Sequence, residues 1–277
     1  MSRSESVRPV APPGAPPSLT PAPPEGAPRS SRTSIPPDGI PRSSRPPSQP
    51  EADIRVEDSG SIRDIVLDRR GRKNALTLPM YETLQGLLRD ATIDERINVV
   101  VLRSAGGAFC IGDDVGLVAV PGETPTPSVD LDAVARAQSQ FLSSLAAFRK
   151  PIVAAVNGLA VGIGAMMLLY CDVVIASEFA AFEFSSARLG MVPDPIACAL
   201  LHSRIGLQRA SEWLLLSERV KADEAHRLGL VNAVVPLENL HGSTRARAQA
   251  LAAIPQRVAR ETKRMLHGPL RLVPSGF

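Results

Sequence analysis

From residue 62 onwards, the sequence alternates between short apolar runs and stretches with helical spacing. Three of the runs, IRDIVLD at Ile62–Asp68, NVVVLRS at Asn98–Ser104 and DVVIAS at Asp172–Ser177, have the length and the β-branched content of buried strands. A fourth run, PIVAAV, ends at Val156. Because strands that alternate with helices form parallel sheets with helical crossovers, this order predicts an α/β protein.

Helices are predicted between these strands and after them. Thr77, with Pro79 in the first turn, is a typical start for the first helix. The next two helices are predicted at 131–148 and 165–170. The last third of the chain, from Pro195, is predicted to be mostly helical, with helices at 222–227, 243–253 and 257–266.

Residues 1–52 differ in composition from the rest of the chain. The first 50 residues hold 15 of the 26 prolines and no aromatic residue, and the pentad PRSSR occurs at both Pro28 and Pro41. Such a stretch cannot bury enough apolar surface to offset the entropy cost of ordering it, so we predict a disordered, Pro-rich tail. The chain is therefore divided into this tail at 1–52, a folded core at 53–236 and a C-terminal helical region at 237–277.

Charge and cysteine content narrow the class of protein further. Six of the 31 basic and three of the 28 acidic residues fall in the first 50, which leaves 25 of each in the rest of the chain. A folded part without basic excess argues against nucleic-acid binding. The longest apolar runs, such as Ala165–Tyr170, are too short to cross a membrane. The three cysteines, Cys110, Cys171 and Cys198, lack metal-ligand spacing, so we predict reduced thiols, no metal site and a cytoplasmic protein.

Two glycine-rich turns follow predicted strands, SAGGAFCIGDDV at Ser104–Val115 and VNGLAVGIGA at Val156–Ala165. The spacing of Gly158, Gly162 and Gly164 does not match a dinucleotide-binding fingerprint, and no P-loop lysine follows. The free backbone N–H groups of such a turn can instead bind a developing oxyanion. Considered alone, each turn is better explained as a simple strand-to-helix connection.

Six spaced motifs follow one another along the chain. They are RKNALT from Arg72, GGAFCIGDDV from Gly106, AAVNGLAVGIGA from Ala154, CDVVIASEFAAFEF from Cys171, LGMVPD from Leu189 and EAHRLGLVNAVVP from Glu224. In this order they resemble the motifs of the crotonase (enoyl-CoA hydratase/isomerase) superfamily. The resemblance runs from about residue 62 to 266 and implies a spiral of ββα units followed by a C-terminal helical region. It also implies a coenzyme A thioester as substrate, with no permanently bound cofactor, and an oxyanion hole for the thioester carbonyl.

The resemblance implies particular site residues. The two backbone N–H donors of the oxyanion hole fall on Ile111 and Ile163, where relatives usually carry smaller residues. The hydratases of the family use two glutamates, and the matching positions here are Met166 and Ser186. Since neither side chain is a carboxylate, hydration by the usual glutamate pair is disfavoured. Met166 and Ser186 are candidate pocket residues.

One carboxylate, that of Asp194, matches a position that is catalytic in some relatives. Asp194, in GMVPDP, resembles the aspartate of the family's isomerases, including the ring-opening branch of phenylacetate degradation, where it shuttles a proton; dehalogenases of the family use it as a nucleophile. The residues alone favour a helix N-cap before Pro195, and both roles stay open. Glu183, between Phe182 and Phe184, is a competing carboxylate and a further candidate pocket residue. We expect Glu183 to face solvent or lie at an edge rather than in the pocket.

Arg72 and Lys73 match a basic loop that in relatives approaches the coenzyme A phosphates, with a solvated basic turn as the alternative. The chain also ends sooner after RETKRML than relatives do, so we expect a shortened C-terminal region. Relatives build trimer contacts there, and a homotrimer or hexamer is expected if the shorter region permits it.

The sequence therefore predicts an enoyl-CoA isomerase that uses Asp194 as its base. Two alternatives stay open. One is an enoyl-CoA hydratase or dehydratase that positions water through Ser186 or Glu183. The other is a member of the family that binds acyl-CoA without catalysis.

Overall fold

The computed structural model describes residues 53–118, 126–127, 129–190 and 192–267. The disordered tail predicted at 1–52 lies outside the described residues, as does the end of the predicted C-terminal region. The strands are β1 (Ile54–Ser59), β2 (Ile62–Leu67), β3 (Val99–Ser104), β4 (Ala108–Cys110), β5 (Leu117–Val118), β6 (Thr126–Pro127), β7 (Ile152–Val156), β8 (Leu159–Val161), β9 (Val173–Ser177), β10 (Ala181–Glu183), β11 (Arg219–Lys221) and β12 (Ala233–Val235).

Helices occupy most of the remaining described residues. Three short 3-10 turns also occur, at Arg70–Arg72, Met167–Tyr170 and Ala187–Leu189. The helices are α1 (Leu78–Ile93), α2 (Leu131–Ala147), α3 (Ile163–Met166), α4 (Pro195–Ile205), α5 (Leu207–Leu216), α6 (Ala222–Arg227), α7 (Leu237–Ala252) and α8 (Gln256–His267).

Two sheets organise the described chain. The larger has the order β1-β2-β3-β7-β9-β12 and is parallel except for the β1–β2 hairpin. The smaller has the order β11-β10-β8-β4, with β4, β8 and β10 parallel. Each of β3, β7 and β9 is followed, after a short turn, by one strand of the smaller sheet. This repeat confirms the predicted α/β fold built as a spiral of ββα units.

Strand β3 lies between two apolar layers, which explains why its sequence is apolar at consecutive positions. Val100 and Leu102 belong to the main core, which they share with buried residues of α1 and α2. Val99 and Val101 point to the opposite face and pack with Ala248 of α7. A parallel strand covered on both faces needs no polar side.

Two helix boundaries differ from those predicted. The helix predicted at 165–170 begins two residues earlier, at Ile163, and continues from Met167 as a 3-10 turn. Gly162, with φ +55°, allows the chain to turn from β8 directly into α3. The helix predicted from residue 243 begins at Leu237, because Pro236 stands at its N-cap and fixes the backbone there. Gly242 is thus accommodated inside α7.

Helix α8 is tied to the main sheet by a buried ion pair. Lys263 Nζ lies 2.7 Å from Asp172 Oδ2 and donates to the Lys150 carbonyl at 3.0 Å. The same Asp172 oxygen accepts from the Ile152 N–H at 2.7 Å. Burial alone would raise the pKa of Asp172, but His267 and Lys263 together hold it below its ordinary value.

We expect Lys263→Met to lower the free energy of unfolding by about 3 kcal/mol, because it removes the lysine and leaves only the His267 ring, at 3.4 Å, beside the Asp172 carboxylate. The double variant Lys263→Met with Asp172→Asn is expected to be less destabilised than Lys263→Met alone, since no uncompensated charge remains. Urea unfolding of each protein measures the difference, with Lys221→Met, at an exposed lysine, as the control. A double variant that is as unstable as Lys263→Met, or more so, would contradict this explanation.

Candidate active site

The two glycine-rich turns contact each other through their backbones. A Cβ atom built on Gly164 would lie 2.3 Å from the Cys110 carbonyl oxygen, and one built on Gly158 would lie 2.3 Å from the Gly107 carbonyl oxygen. Neither position has room for a side chain. Gly164 therefore allows α3 to approach the end of β4, and Gly158 allows the turn between β7 and β8 to approach the turn before β4, both within backbone contact.

The turn before α3 presents the backbone N–H of Ile163. Ile163 is the first residue of α3, and the first N–H groups of a helix have no partner within it. The preceding N–H, that of Gly162, donates a hydrogen bond to the Glu183 carbonyl at 2.8 Å. The Ile163 side chain itself is buried.

The turn after β4 is fixed by a bridge to Leu76. The Leu76 N–H donates to the Gly112 carbonyl at 2.8 Å, and the Asp114 N–H donates to the Leu76 carbonyl at 2.8 Å. Because successive N–H groups of an extended chain alternate in direction, the N–H of Asp113 faces away from Leu76. Within the described residues, the Ile111 N–H donates no backbone hydrogen bond of a turn or loop, whereas the Asp113 N–H interacts with the carboxylate of its own side chain.

The sequence resemblance matches Met166 and Ser186 to the two glutamates of the family's hydratases. Met166 is buried in α3 and belongs to the main core. Ser186 is also buried and immediately precedes the 3-10 turn at Ala187–Leu189. These two positions therefore carry a thioether and a hydroxyl, and neither carries a carboxylate.

Asp194 caps α4 and is bound by a buried tyrosine. Its Oδ1 accepts from the Ala197 N–H at 2.9 Å and from the Tyr170 hydroxyl at 3.0 Å. Burial, and then the neighbouring Asp194 carboxylate, raise the pKa of Tyr170, which keeps its hydroxyl protonated as a donor. No donor in the described part of the chain reaches Asp194 Oδ2. The cap therefore uses one oxygen and leaves the second available.

Glu183 does not face solvent, so that prediction is wrong. It is 5% exposed and lies on β10, an interior strand between β8 and β11. Its Oε1 is 3.2 Å from Arg188 Nη1 and its Oε2 is 3.2 Å from Arg219 Nη2. The two guanidinium groups neutralise the charge, which permits burial of the carboxylate. Phe182 and Phe184 fill the core on the other face, as the alternation predicts.

Arg72 and Lys73 are both exposed, at the end of the 3-10 turn that precedes α1. Arg72 Nε lies 3.7 Å from Asp114 Oδ2, and Arg69 Nη1 lies 2.8 Å from the same oxygen. Hydrogen bonding by Arg69 lowers the pKa of Asp114. A cavity of about 330 Å³ opens beside Arg72, between the turn carrying Asp114 and the starts of α1 and α2.

Sequence reasoning missed a polar cluster next to this cavity. The Tyr81 hydroxyl, from α1, donates to Asp113 Oδ1, and Gln138 Nε2, from α2, donates to Asp113 Oδ2 at 3.2 Å. Burial raises the pKa of Asp113, and it raises that of Tyr81 well above the ordinary value. The sequence marks this cluster only by the two adjacent carboxylates of GDDV. Arg69 and Arg72 of the basic turn pair with the second of them, Asp114, and not with Asp113.

The described residues contain neither a candidate metal cluster nor a candidate membrane helix. Among them, no group of three histidine, cysteine, aspartate or glutamate side chains is arranged to hold a metal ion. Across the same ranges, no helix has the length and apolar content needed to span a bilayer.

Comparison with known proteins identifies the family to which the chain belongs. The sequence matches the family model for enoyl-CoA hydratase/isomerase over residues 57–274. A probable enoyl-CoA hydratase of Rhodobacter capsulatus is 36% identical over 218 residues, which are 78% of this chain and 82% of that protein. The 1,2-epoxyphenylacetyl-CoA isomerase of Escherichia coli K12 is 32% identical over 194 residues, 70% of this chain and 74% of that protein.

Solved structures give the same fold. The crystal structure of an enoyl-CoA hydratase from Mycobacterium avium subsp. paratuberculosis K-10 superposes with a TM-score of 0.72 at 29% identity, covering 81% of this chain and 88% of that one. The spiral of ββα units with its two glycine-rich turns in contact is thus a crotonase fold. The chain belongs to the enoyl-CoA hydratase/isomerase family.

Proposed function

We propose that the protein is an enoyl-CoA isomerase that moves a double bond by proton transfer through a thioester enolate. The observation that carries this proposal is the state of Asp194. Its Oδ1 is held by Tyr170 and by the α4 N-terminus, and no described donor reaches Oδ2. A carboxylate that is fixed in place with one free oxygen is suited to general base catalysis.

In the proposed reaction, Asp194 removes a proton from the carbon next to the thioester carbonyl of a 3-enoyl-CoA. The electron pair moves into the carbonyl, which becomes an enolate oxygen, and the protonated Asp194 returns the proton at the far end of the conjugated system. A 2-enoyl-CoA results, and Asp194 is regenerated as a carboxylate. One base that serves both steps needs no second carboxylate at Met166 or Ser186.

The enolate oxygen requires donors that are already in position. We propose the Ile163 N–H as one donor and the Ile111 N–H as the other. Each such donor is worth about 3 kcal/mol where negative charge develops. Arg72 and Lys73 are proposed to attract the phosphates of coenzyme A, which would be present only as part of the substrate.

The two alternative functions have weaker support in the site. A hydratase needs a group that activates water, and Ser186 is not a carboxylate, while Glu183 is paired with Arg188 and Arg219. The name of the Rhodobacter relative favours a hydratase, but a name carries no information about these positions. A protein that binds acyl-CoA without catalysis would explain the apolar side chain at Met166. It would give the fixed Asp194 carboxylate no role other than capping α4.

Product analysis separates the three functions. The full-length protein is incubated in one reaction with a 3-enoyl-CoA and in another with a 2-enoyl-CoA, and the acyl products are identified by liquid chromatography against standards together with mass spectrometry. We expect a change of double-bond position without a change of mass in the first reaction. Gain of one water in either reaction would support the hydratase instead. Thermal stabilisation by acyl-CoA without any product would support the binder.

Assembly and location are further parts of the proposal. A homotrimer or hexamer is proposed from the family resemblance, and light scattering of the purified protein measures it directly. A cytoplasmic location is proposed from the cysteine content.

A further inference from the structure

The hydroxyl of Tyr170 binds the same carboxylate oxygen that caps α4. Asp194 Oδ1 accepts from the Ala197 N–H at 2.9 Å and from the Tyr170 hydroxyl at 3.0 Å. Each oxygen of an ionised carboxylate has about two lone-pair sites, so these two donors fill Oδ1. An N-cap needs only the bond from the Ala197 N–H. The bond from Tyr170 is therefore additional to capping.

The side chain of Tyr170 is fixed where it meets Asp194. It is 2% exposed and belongs to the main core. Tyr170 is the last residue of a 3-10 turn, and Arg204, in the last turn of α4, binds the backbone at the end of that 3-10 turn. The Arg204 guanidinium group donates to the carbonyls of Leu168, Leu169 and Cys171. Helix α4 is thus joined to the 3-10 turn at both of its ends, by Asp194 and by Arg204.

The segment that carries Tyr170 also carries a proposed oxyanion donor. Helix α3 begins at Ile163 and continues from Met167 into the 3-10 turn that ends at Tyr170. Every residue of this continuous segment is buried. Because buried side chains are close-packed, such a segment has little freedom to change its shape. The Ile163 N–H and the Tyr170 hydroxyl therefore keep a constant relative position.

We propose that Tyr170 is a positioning residue: its hydroxyl occupies Asp194 Oδ1, so that Oδ2 alone transfers the substrate proton, at a fixed position relative to the Ile163 N–H. This inference rests on the proposed function. Oδ2 takes the proton from the carbon next to the thioester carbonyl, and the electron pair of that C–H bond moves into the enolate. Oδ1 is then the carbonyl oxygen of a carboxylic acid and still accepts both hydrogen bonds. Oδ2 returns the proton to the far carbon of the conjugated system.

Tyr170 stays a hydrogen-bond donor in both steps. Burial, and then the neighbouring Asp194 carboxylate, raise the pKa of Tyr170, so the phenol keeps its own proton. Without the hydroxyl, the Ala197 N–H would be the one remaining donor to Oδ1 among the described residues. The carboxylate could then turn about its Cβ–Cγ bond and present Oδ2 in the wrong place. A displacement of about 1 Å at a reacting group can lower a rate by about 100-fold.

Steady-state kinetics of 3-enoyl-CoA isomerisation by Tyr170→Phe tests this role in the full-length protein. Phenylalanine keeps the ring in the core and removes only the hydroxyl, and thermal unfolding shows that the variant is folded. We expect kcat to fall by about tenfold and KM to change by less than about twofold, because Tyr170 contacts the base and not the substrate. Ser203→Ala is the matched control, since it removes from α4 a hydroxyl that donates to the Leu200 carbonyl at 2.8 Å. It should keep the wild-type kcat.

A double-mutant cycle shows whether Tyr170 acts through Asp194. The rates of wild type, Tyr170→Phe, Asp194→Asn and the double variant are compared. We expect Tyr170→Phe to cause no further loss in the Asp194→Asn background, because residues that act as one unit are strongly non-additive. A loss of the same size in both backgrounds would mean that the hydroxyl only stabilises the fold, and this would overturn the inference.

The remaining outcomes separate this inference from the proposed function. If wild type isomerises a 3-enoyl-CoA, an unchanged kcat in Tyr170→Phe would overturn the inference alone. A raised KM with an unchanged kcat would do the same, because it would place the hydroxyl in substrate binding. A wild-type protein that forms no 2-enoyl-CoA would overturn the proposed function, and the inference with it.

Discussion

Gly164→Ala is expected to lower the free energy of unfolding by about 3 kcal/mol or more, and to abolish activity in the protein that still folds. The added Cβ would lie 2.3 Å from the Cys110 carbonyl oxygen and 2.9 Å from the Cys110 Cβ. A backbone carbonyl cannot move aside as the end of a flexible side chain can, so α3 and the turn after β4 must separate. Because these two elements carry the proposed oxyanion donors, their separation would also move the Ile163 N–H away from the Ile111 N–H.

Gly86→Ala is the matched control, since it is the same substitution in another helix. The nearest atom to a Cβ at Gly86 is Arg89 Nη2 at 3.8 Å, and α1 continues on both sides. Alanine is favoured over glycine inside a helix by up to about 1 kcal/mol, so this variant should be slightly more stable than wild type. Chemical denaturation of both variants gives the comparison. If Gly164→Ala were as stable as Gly86→Ala, the close contact of the two turns would be refuted.

The second large effect is expected at Asp194. Asp194→Asn should lower the rate of 3-enoyl-CoA isomerisation by about 10²- to 10⁴-fold, the usual contribution of a positioned acid or base. Asparagine is about as good an N-cap as aspartate, so the stability of α4 should change little. Steady-state kinetics and thermal unfolding of the same preparation measure the two properties.

Two further variants distinguish catalysis from capping. Asp194→Ser keeps an acceptor for the Ala197 N–H but has no carboxylate, so it should be stable and inactive. Asp90→Asn, at an exposed carboxylate of α1, should keep wild-type activity and stability. Full activity in Asp194→Ser would mean that Asp194 serves only as a cap.

Four of the six strands of the main sheet could be predicted from the sequence because they are mostly apolar runs. β2, β3, β7 and β9 begin or end within one residue of the predictions, since burial on both faces requires consecutive apolar residues. The smaller sheet could not be predicted in the same way. Strands β4, β8 and β10 are three residues long, and their pairing joins segments far apart in sequence.

The candidate site was predictable only where a local motif marks it. Asp194 was found because Asp before Pro is a recognisable helix start and because GMVPDP resembles relatives. Its contact with Tyr170, 24 residues away, has no local signal. Glu183 was misplaced for the same reason, because the arginine at 219 that neutralises it lies 36 residues further along.

The clusters around Asp113 and Asp172 show the same limit. Tyr81 precedes Asp113 by 32 residues and lies on a different element. Lys263 follows Asp172 by 91 residues. Side chains brought together by the tertiary fold leave no spacing in the sequence, so their electrostatic roles become visible only in the structure.

Uptake of solvent deuterium into the acyl chain tests the central claim most directly. A 3-enoyl-CoA is incubated with protein in deuterated water, and the deuterium content of the acyl chain is followed by mass spectrometry for wild type and Asp194→Asn. The account predicts that in wild type, once the proton on Asp194 has exchanged with solvent, deuterium is delivered to the far carbon of the conjugated system as the 2-enoyl-CoA forms, and that Asp194→Asn does so at least about 100-fold more slowly. Exchange at the wild-type rate in Asp194→Asn would contradict the assignment of Asp194 as the base.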